Sequence, residues 1–261
     1  MTSGSGQTSL AELAERADEA AHSATAIAQF TNTIDLGVAD AYAIQAQSVG
    51  RRLQRGEQLV GIKMGLTSRA KMAQVGVDEV IWGRLTDAMR VADGGTVSLG
   101  RYVHPRVEPE IAFLIGAPLA GAVSGAEAMA AVAAVAPAAE IIDSRFENFR
   151  FSLPDVIADN SSSSGFVVGG WRDPSTDIGN LGMVLERNGR PVEIGSSAAI
   201  LGDPIRSLVE ASRMVGDAGL TLQPGWIVLA GGATAALPLT VDDSIRVVVE
   251  ELGVVAFHVV A

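Results

Sequence analysis

Two glutamates one residue apart, Glu108-Pro109-Glu110, are the first residues in this chain whose spacing suggests chemistry. In an extended segment, residues two apart project from the same face, so both carboxylates point together. Two ionised carboxylates that close repel each other unless a cation sits between them. Hard divalent cations such as Mg²⁺ take oxygen ligands of this kind. The plain alternative is a pair of solvated glutamates on an edge strand that carries an edge proline. A third acid, Glu140, stands amid apolar neighbours in Ala138-Ala139-Glu140-Ile141-Ile142. It could pair with Arg145 or Arg106, or it could be a further cation ligand brought beside Glu108 and Glu110 by strand pairing. Lys63, inside Gly61-Ile62-Lys63-Met64-Gly65-Leu66-Thr67, either snorkels to the surface or is held in place for function. The glycines around it would let a ligand approach the backbone closely.

Other chemistries are excluded or unsupported. The 261 residues include no cysteine, which removes disulfides, thiolate nucleophiles and cysteine-ligated metals. A reducing cytoplasm is compatible with that. His22, His104 and His258 share no metal-ligand spacing and read as structural. No nucleophile elbow, phosphate loop or dinucleotide fingerprint occurs. The net charge of −11 opposes binding to nucleic acid or to an anionic membrane. It also means that an acidic substrate would need a local cation, either a metal or well-placed Lys and Arg. No apolar run is long enough to span a bilayer. Met1 to Gln7 lacks the basic start and apolar middle of a signal peptide and reads as a disordered leader.

The elements that must position these residues can be read in outline. Ser9 and Glu12 form a capping box, predicting a helix that runs to about Phe30. Asp40 to Arg55 predicts a second helix ended by Gly56, Leu59 to Met64 a strand, and Arg69 to Gln74 a short helix closed by Gly76. After the turn signal Asp93-Gly94-Gly95 come short β-rich runs at 111–115, 165–168, 182–185, 226–229, 245–249 and 254–259. Helices are predicted over Ala126–Ala136, ending before Pro137, and over Pro204–Val215. The expected division is a mainly helical part over 1–92 that carries the Lys63 strand, and a β-rich catalytic domain over 93–261. The stretch from Asp143 to Ser164 mixes charge, three phenylalanines, a proline and four serines. It reads as a lid or binding loop that orders on ligand.

Five segments in this order resemble one family: Gly61-Ile62-Lys63-Met64-Gly65-Leu66-Thr67-Ser68, Gly76-Val77-Asp78, His104-Pro105-Arg106-Val107-Glu108-Pro109-Glu110-Ile111, Glu140-Ile141-Ile142-Asp143-Ser144-Arg145 and Ala158-Asp159-Asn160-Ser161-Ser162-Ser163. Together they resemble the hydratase/decarboxylase branch of the fumarylacetoacetate hydrolase superfamily, from about Ala39 to the C-terminus. One departure is Ser161, where the branch usually has alanine. The resemblance implies an α+β fold, with a β-rich, barrel-like mixed-sheet core and a smaller helical N-terminal part. It implies Mg²⁺ or Mn²⁺ on Glu108, Glu110 and Glu140, and catalytic roles for Lys63, Asp78 and Ser162. It also implies substrate contacts from Leu66, Arg145, Asn160 and Thr234.

Within the branch, the stretches 143–151 and 231–238 resemble those members that decarboxylate 2-oxo-3-hexenedioate, rather than those that hydrate 2-hydroxypenta-2,4-dienoate. A non-catalytic partner subunit is a third reading, which three mutually repelling carboxylates oppose. The implied partner is a small 2-oxo dicarboxylate, with Arg145, Arg150 or Lys71 as candidates to hold its far carboxylate. The resemblance leaves room for a complex with the pathway hydratase and for a homo-oligomer.

Overall fold

The computed structural model describes residues 9–68 and 79–261. The leader at Met1–Gln7, the short helix expected over Arg69–Gln74, Lys71 and Asp78 lie outside the described residues. The first helix, α1 (Leu10–His22), has the capping box expected at Ser9 and Glu12. It ends earlier than expected, where the Ser23 hydroxyl bonds back to the Glu19 carbonyl; Phe30 belongs to a separate turn at Phe30–Asn32. Helix α2 (Val38–Gln54) stops before Gly56, whose φ of 105° suits only glycine.

The rest is strand-rich: β1 (Leu59–Gly65), β2 (Ile81–Thr86), β3 (Arg90–Val91), β4 (Thr96–Ser98) and β5 (Arg106–Ile115). Then follow α3 (Gly125–Ala130), β6 (Val132–Ile142), α4 (Leu153–Ala158), β7 (Ser163–Val168), β8 (Gly182–Arg187) and β9 (Arg190–Ser196). The chain closes with α5 (Pro204–Asp217), β10 (Ile227–Leu229), β11 (Leu237–Pro238), β12 (Ser244–Val249) and β13 (Gly253–Val260). No helix among the described residues is long and apolar enough to cross a membrane.

The strands form two sheets. The larger has the order β2-β1-β10-β5-β6-β7-β3, with β11 also on β5, and curls into a half-barrel. It is mixed: β1 and β10 are parallel, as are β3 and β7, while the other pairs are antiparallel. Strands from both sides of the 92/93 division share this sheet. The smaller sheet has the order β4-β13-β12-β8-β9. The main core lies between the sheets, where Val107, Ile111, Phe113, Val135, Ala139 and Ile141 meet Leu185, Ile245, Val247 and Phe257. That uses one face of β5 and β6 and leaves the other for the concave side of the half-barrel.

Two expectations about secondary structure differ from what is observed, for identifiable reasons. The alanine-rich run to Ala136 is helical only to Ala130, and from Val132 it is strand β6. Pairing with β5 on one side and β7 on the other overrides alanine's helix preference. Small side chains serve this strand, because both its faces are packed. The stretch 143–164 is not an open loop. It contains a turn at Glu147–Phe149, helix α4, a turn at Asn160–Ser162 and the start of β7. Phe146, Val156, Ile157 and Ala158 pack with Leu13, Ala17, Phe30 and Ile44 from the N-terminal helices. Phe30 and Phe146 meet edge to face at 5.3 Å, worth about 0.5–1.5 kcal/mol beyond the buried area. Thr31 donates from both its amide and its hydroxyl to Asp155, tying the 143–164 stretch down as a strap over the N-terminal helices.

Pro109 sits in the middle of a sheet, not on the edge strand of the plain alternative. It is tolerated because β10 covers residues 112–114 of β5 and β11 covers 106–107, leaving a gap between them. The segment 230–236 passes through that gap, and the Ala233 amide donates to the Pro109 carbonyl (3.0 Å). The missing proline N–H faces this irregular segment, so no ladder bond with β6 is lost.

Candidate active site

Alternation along β5 turns Glu108, Glu110 and Ala112 to the concave face. The register sets Glu108 opposite Glu140 on β6, and Glu110 opposite Ala138, which leaves space for the longer side chain. One ligand oxygen from each of Glu108, Glu110 and Glu140 lies within 4.8 Å of the others, and all three side chains are buried. The Gly231 amide donates to Glu110 Oε2 (2.7 Å). Glu110 Oε1 and Glu140 Oε1 have no hydrogen-bond partner.

Burial, together with the charge of Glu140, raises the Glu110 pKa well above the carboxylate range. Glu140 is raised by burial and by Glu108, against the opposing pull of Lys63. Buried acceptors left unmet are costly. A compact set of hard oxygen donors with unmet lone pairs fits a small divalent cation such as Mg²⁺ or Mn²⁺. Below the acids the concave face is apolar, lined by Ala112, Ala136, Ala138, Phe166 and Leu229.

Lys63 faces the same hollow from β1, level with Leu229 of β10 and Gly83 of β2. At 3% exposure it does not snorkel. Its Nζ is 3.1 Å from Glu140 Oε2 and donates to the Ser161 carbonyl at 3.0 Å. The first contact is ionic rather than an aligned hydrogen bond, and it takes the place of the Arg145 or Arg106 partner open to Glu140. Burial opposes the charge on Lys63, but Glu140, Glu110 and Glu108 outweigh it and the pKa rises. The amine is therefore held as an ammonium.

Its carbonyl partner is presented by an unusual turn. Asn160, Ser161 and Ser162 all have positive φ, between 51° and 61°, which costs energy at each residue and persists only where the surroundings enforce it. The Asn160 side chain accepts from the Arg84 amide (2.8 Å) and donates to the Arg84 carbonyl (2.9 Å). The Ser161 hydroxyl donates to the Trp82 carbonyl (2.7 Å). A Cβ on Gly83 would lie 2.3 Å from the Asn160 carbonyl oxygen, so only glycine lets β2 meet this turn.

Residues 60–260 match the family described as fumarylacetoacetate hydrolase, C-terminal. The chain belongs to the fumarylacetoacetate hydrolase family. It is 55% identical over 248 residues to a 4-oxalocrotonate decarboxylase from a Pseudomonas species, covering 95% of this chain and 97% of that one. It is 38% identical over 224 residues to a 2-keto-4-pentenoate hydratase from Paraburkholderia xenovorans strain LB400, covering 84% and 83%. The solved structure of 4-oxalocrotonate decarboxylase from Pseudomonas putida G7, complexed with magnesium and adipate, superposes with a TM-score of 0.93. That likeness covers 96% of this chain and 97% of the other, at 39% identity.

Set in this family, the remaining site candidates fall into two groups. Lys63 and the three glutamates converge, and the Asn160–Ser162 turn adjoins them through Ser161. Ser162 is buried in that turn, its amide donating to Asp159 and its carbonyl accepting from the Asp143 amide. Leu66, at the end of β1 with φ 56°, packs against the apolar cluster under the strap. Arg145 is committed elsewhere: its guanidinium bonds Asp159 and Ser164. It lines a polar cleft of about 310 Å³, together with Asp18, Arg52 and Tyr102, to which neither the glutamates nor Lys63 contribute. Thr234 donates its hydroxyl to the Ala235 carbonyl, and its methyl group abuts Gly195 of β9.

Sequence reasoning missed three contributors: the Ser161 carbonyl, the Gly231 amide and Thr67. The first two are backbone groups, which residue types cannot reveal. Thr67 is buried against Gly231, and its hydroxyl has no partner. Its place four residues after Lys63 was the available signal. His104 has the structural role expected, its Nδ1 lying 3.0 Å from the Ser144 carbonyl.

Proposed function

We propose that this protein is a divalent-metal-dependent lyase that decarboxylates 2-oxo-3-hexenedioate (4-oxalocrotonate) to 2-hydroxypenta-2,4-dienoate. The observation that carries the reading is the buried triad Glu108, Glu110 and Glu140 beside the Lys63 ammonium. The 55% identity to a 4-oxalocrotonate decarboxylase supports the choice of substrate. Glu108, Glu110 and Glu140 would hold Mg²⁺ or Mn²⁺ and leave positions open for the C1 carboxylate and C2 oxygen of the substrate. When bound, the cation supplies Lewis-acid stabilisation of the charge that develops on the C2 oxygen.

Loss of CO₂ from C6 sends its bonding pair through C5, C4 and C3 to that oxygen. The Lys63 Nζ, held as an ammonium, donates a hydrogen bond and then the proton that completes the 2-hydroxy group. The apolar floor excludes water from the dienolate, and the Ser161 carbonyl fixes the direction of the Lys63 N–H bonds. Asp78 and Ser162 remain substrate-side groups in this reading. The product is a tautomer of the compound for which the hydratase relative is named. A complex with such a hydratase would hand it on directly.

The test is turnover of 2-oxo-3-hexenedioate and of 2-hydroxypenta-2,4-dienoate by the purified protein, with Mg²⁺ and with excess chelator. CO₂ release from the first substrate, dependent on Mg²⁺, is the expected result. Full activity in chelator refutes the metal, and hydration of the second substrate without decarboxylation of the first assigns the sister activity.

A further inference from the structure

We infer that Arg106 recognises the far carboxylate of a six-carbon 2-oxo diacid substrate. The inference rests on the reading of the triad as a cation site. Arg106, Glu108, Glu110 and Ala112 are alternate residues of β5 and share its concave face. Burial falls in that order in reverse: Ala112 and Glu110 are fully buried, Glu108 is 7% exposed and Arg106 is half-buried. The mouth of the hollow is therefore at the Arg106 end. Successive residues on one face of a strand are about 6.6–6.8 Å apart, which matches the extended length of a six-carbon diacid between its end carbons. A substrate held by its C1–C2 end near Glu108 extends its other carboxylate to the level of Arg106.

The guanidinium is prepared for an anion. It lies 4.0 Å from the centre of the Phe149 ring. Phe149 is fixed in turn by Phe151 at 5.5 Å and His104 at 6.3 Å. The cross-strand neighbours of Arg106 are Ile142 and Pro238, neither of which carries charge. Among the described residues Arg106 has no carboxylate partner, a condition it shares with other arginines such as Arg84, Arg150 and Arg172, but it is the one on the strand that carries Glu108 and Glu110. In a chain of net charge −11, an arginine left without an acid at the mouth of an acid-lined hollow is a site for an external anion. Of the earlier candidates for this role, Arg145 is bound to Asp159, and Arg150 is exposed on the strap with no strand register to align it.

The interaction belongs to the substrate, since the carboxylate leaves as neutral CO₂. It should therefore govern binding more than the chemical step. Calorimetry on the Mg²⁺-loaded protein tests this with 2-oxoadipate and with 2-oxohexanoate, which is equally long but lacks the far carboxylate. Arg106→Met is expected to weaken 2-oxoadipate about 10- to 100-fold, the size of one charge-assisted hydrogen bond. It should leave 2-oxohexanoate unchanged, which also shows that the variant is folded and holds its cation. Arg106→Lys should recover part of the loss, and in turnover Arg106→Met should raise KM with kcat unchanged or raised, never lowered in step with kcat/KM. Equal weakening of both ligands, or none for 2-oxoadipate, overturns the assignment. Failure of the wild-type protein to bind either ligand with Mg²⁺ overturns the cation site itself.

Discussion

Two groups of buried acid occupy opposite ends of the electrostatic range in this molecule. Asp18, on α1, is 2% exposed. Arg55 grips it with two bonds of 2.6 Å, and Arg51 Nε adds a third of 2.9 Å. Burial pushes its pKa up, but the two guanidiniums outweigh that and hold it below the ordinary value. Glu110 and Glu140 are just as deeply buried, yet they keep oxygens without partners and have raised pKa values. Asp18 is satisfied by the chain itself and joins α1 to α2. The glutamates carry a deficit that the chain leaves to something it binds. Burial of charge does not by itself mark a functional site; burial of charge that the protein leaves unmatched does.

The contrast can be broken most forcefully at the triad. Glu110→Gln should abolish measurable Mg²⁺ binding by calorimetry and lower turnover by more than about 100-fold. The metal-free protein should melt no earlier than wild type, since one repelling carboxylate has gone. Early melting of the variant would mean that Glu110 is structural in the way Asp18 is.

Lys63→Met should lower kcat by about 10²- to 10⁴-fold and move KM much less. A strong rise in KM with kcat intact would make Lys63 a substrate anchor, and no change in either would remove it from the site.

Asp18→Asn should leave kcat and Mg²⁺ affinity untouched and act on stability alone. Removing one partner of a fully buried pair costs about 3–5 kcal/mol. Here the arginines are 37% and 41% exposed, so about 1–3 kcal/mol is expected after solvent screening. Thermal denaturation with and without chelator should show the same loss.

The smallest expected effect is on pH dependence. With its folded pKa lowered, Asp18 contributes stability that is present above its unfolded value of 3.8 and is lost as pH falls through the folded value. The melting gap between wild type and Asp18→Asn should therefore close in acid. Asp159 has the opposite sign: burial raises it to about 6 despite Arg145. Its contribution is complete below pH 3.8 and is lost as pH rises through about 6. The gap between wild type and Asp159→Asn should move the other way over that window. Gaps that move in parallel would remove the distinction between a matched and a strained buried acid.

Much of the site was legible because side-chain chemistry and strand periodicity agree there. Glu108 and Glu110 share a face for the reason their spacing gives, and Glu140 joins them by direct cross-strand pairing. Lys63, which its apolar flanks left as either a snorkelling or a held residue, is buried with its amine beside Glu140. The misreadings have physical causes. Ala126–Ala136 looks helical throughout because alanine favours helices in isolation, whereas the place of its last residues between two strands is a long-range fact. The strap at 143–164 looked like one long loop because the bonds that order it, made by Asp155, Asp159 and Ser162 among others, run to backbone and side chains that local sequence does not announce. The Arg145–Asp159 ion pair, spanning fourteen residues, is likewise invisible to local sequence. The acceptor on Ser161 and the donor on Gly231 belong to the backbone, so they become visible only once a fold places them.

The position of β10 also bears on when the protein can become active as it is made. Strands β1 and β5 are not neighbours; residues 227–229 insert between them. Until that late segment leaves the ribosome, the β1–β2 hairpin and the β5–β6–β7 meander have no strand to join them. Contacts of such long sequence separation form slowly and late. Lys63 and Glu140 lie on opposite sides of that seam. The strand ladder that carries the site is therefore closed only when residues 227–229 are in place.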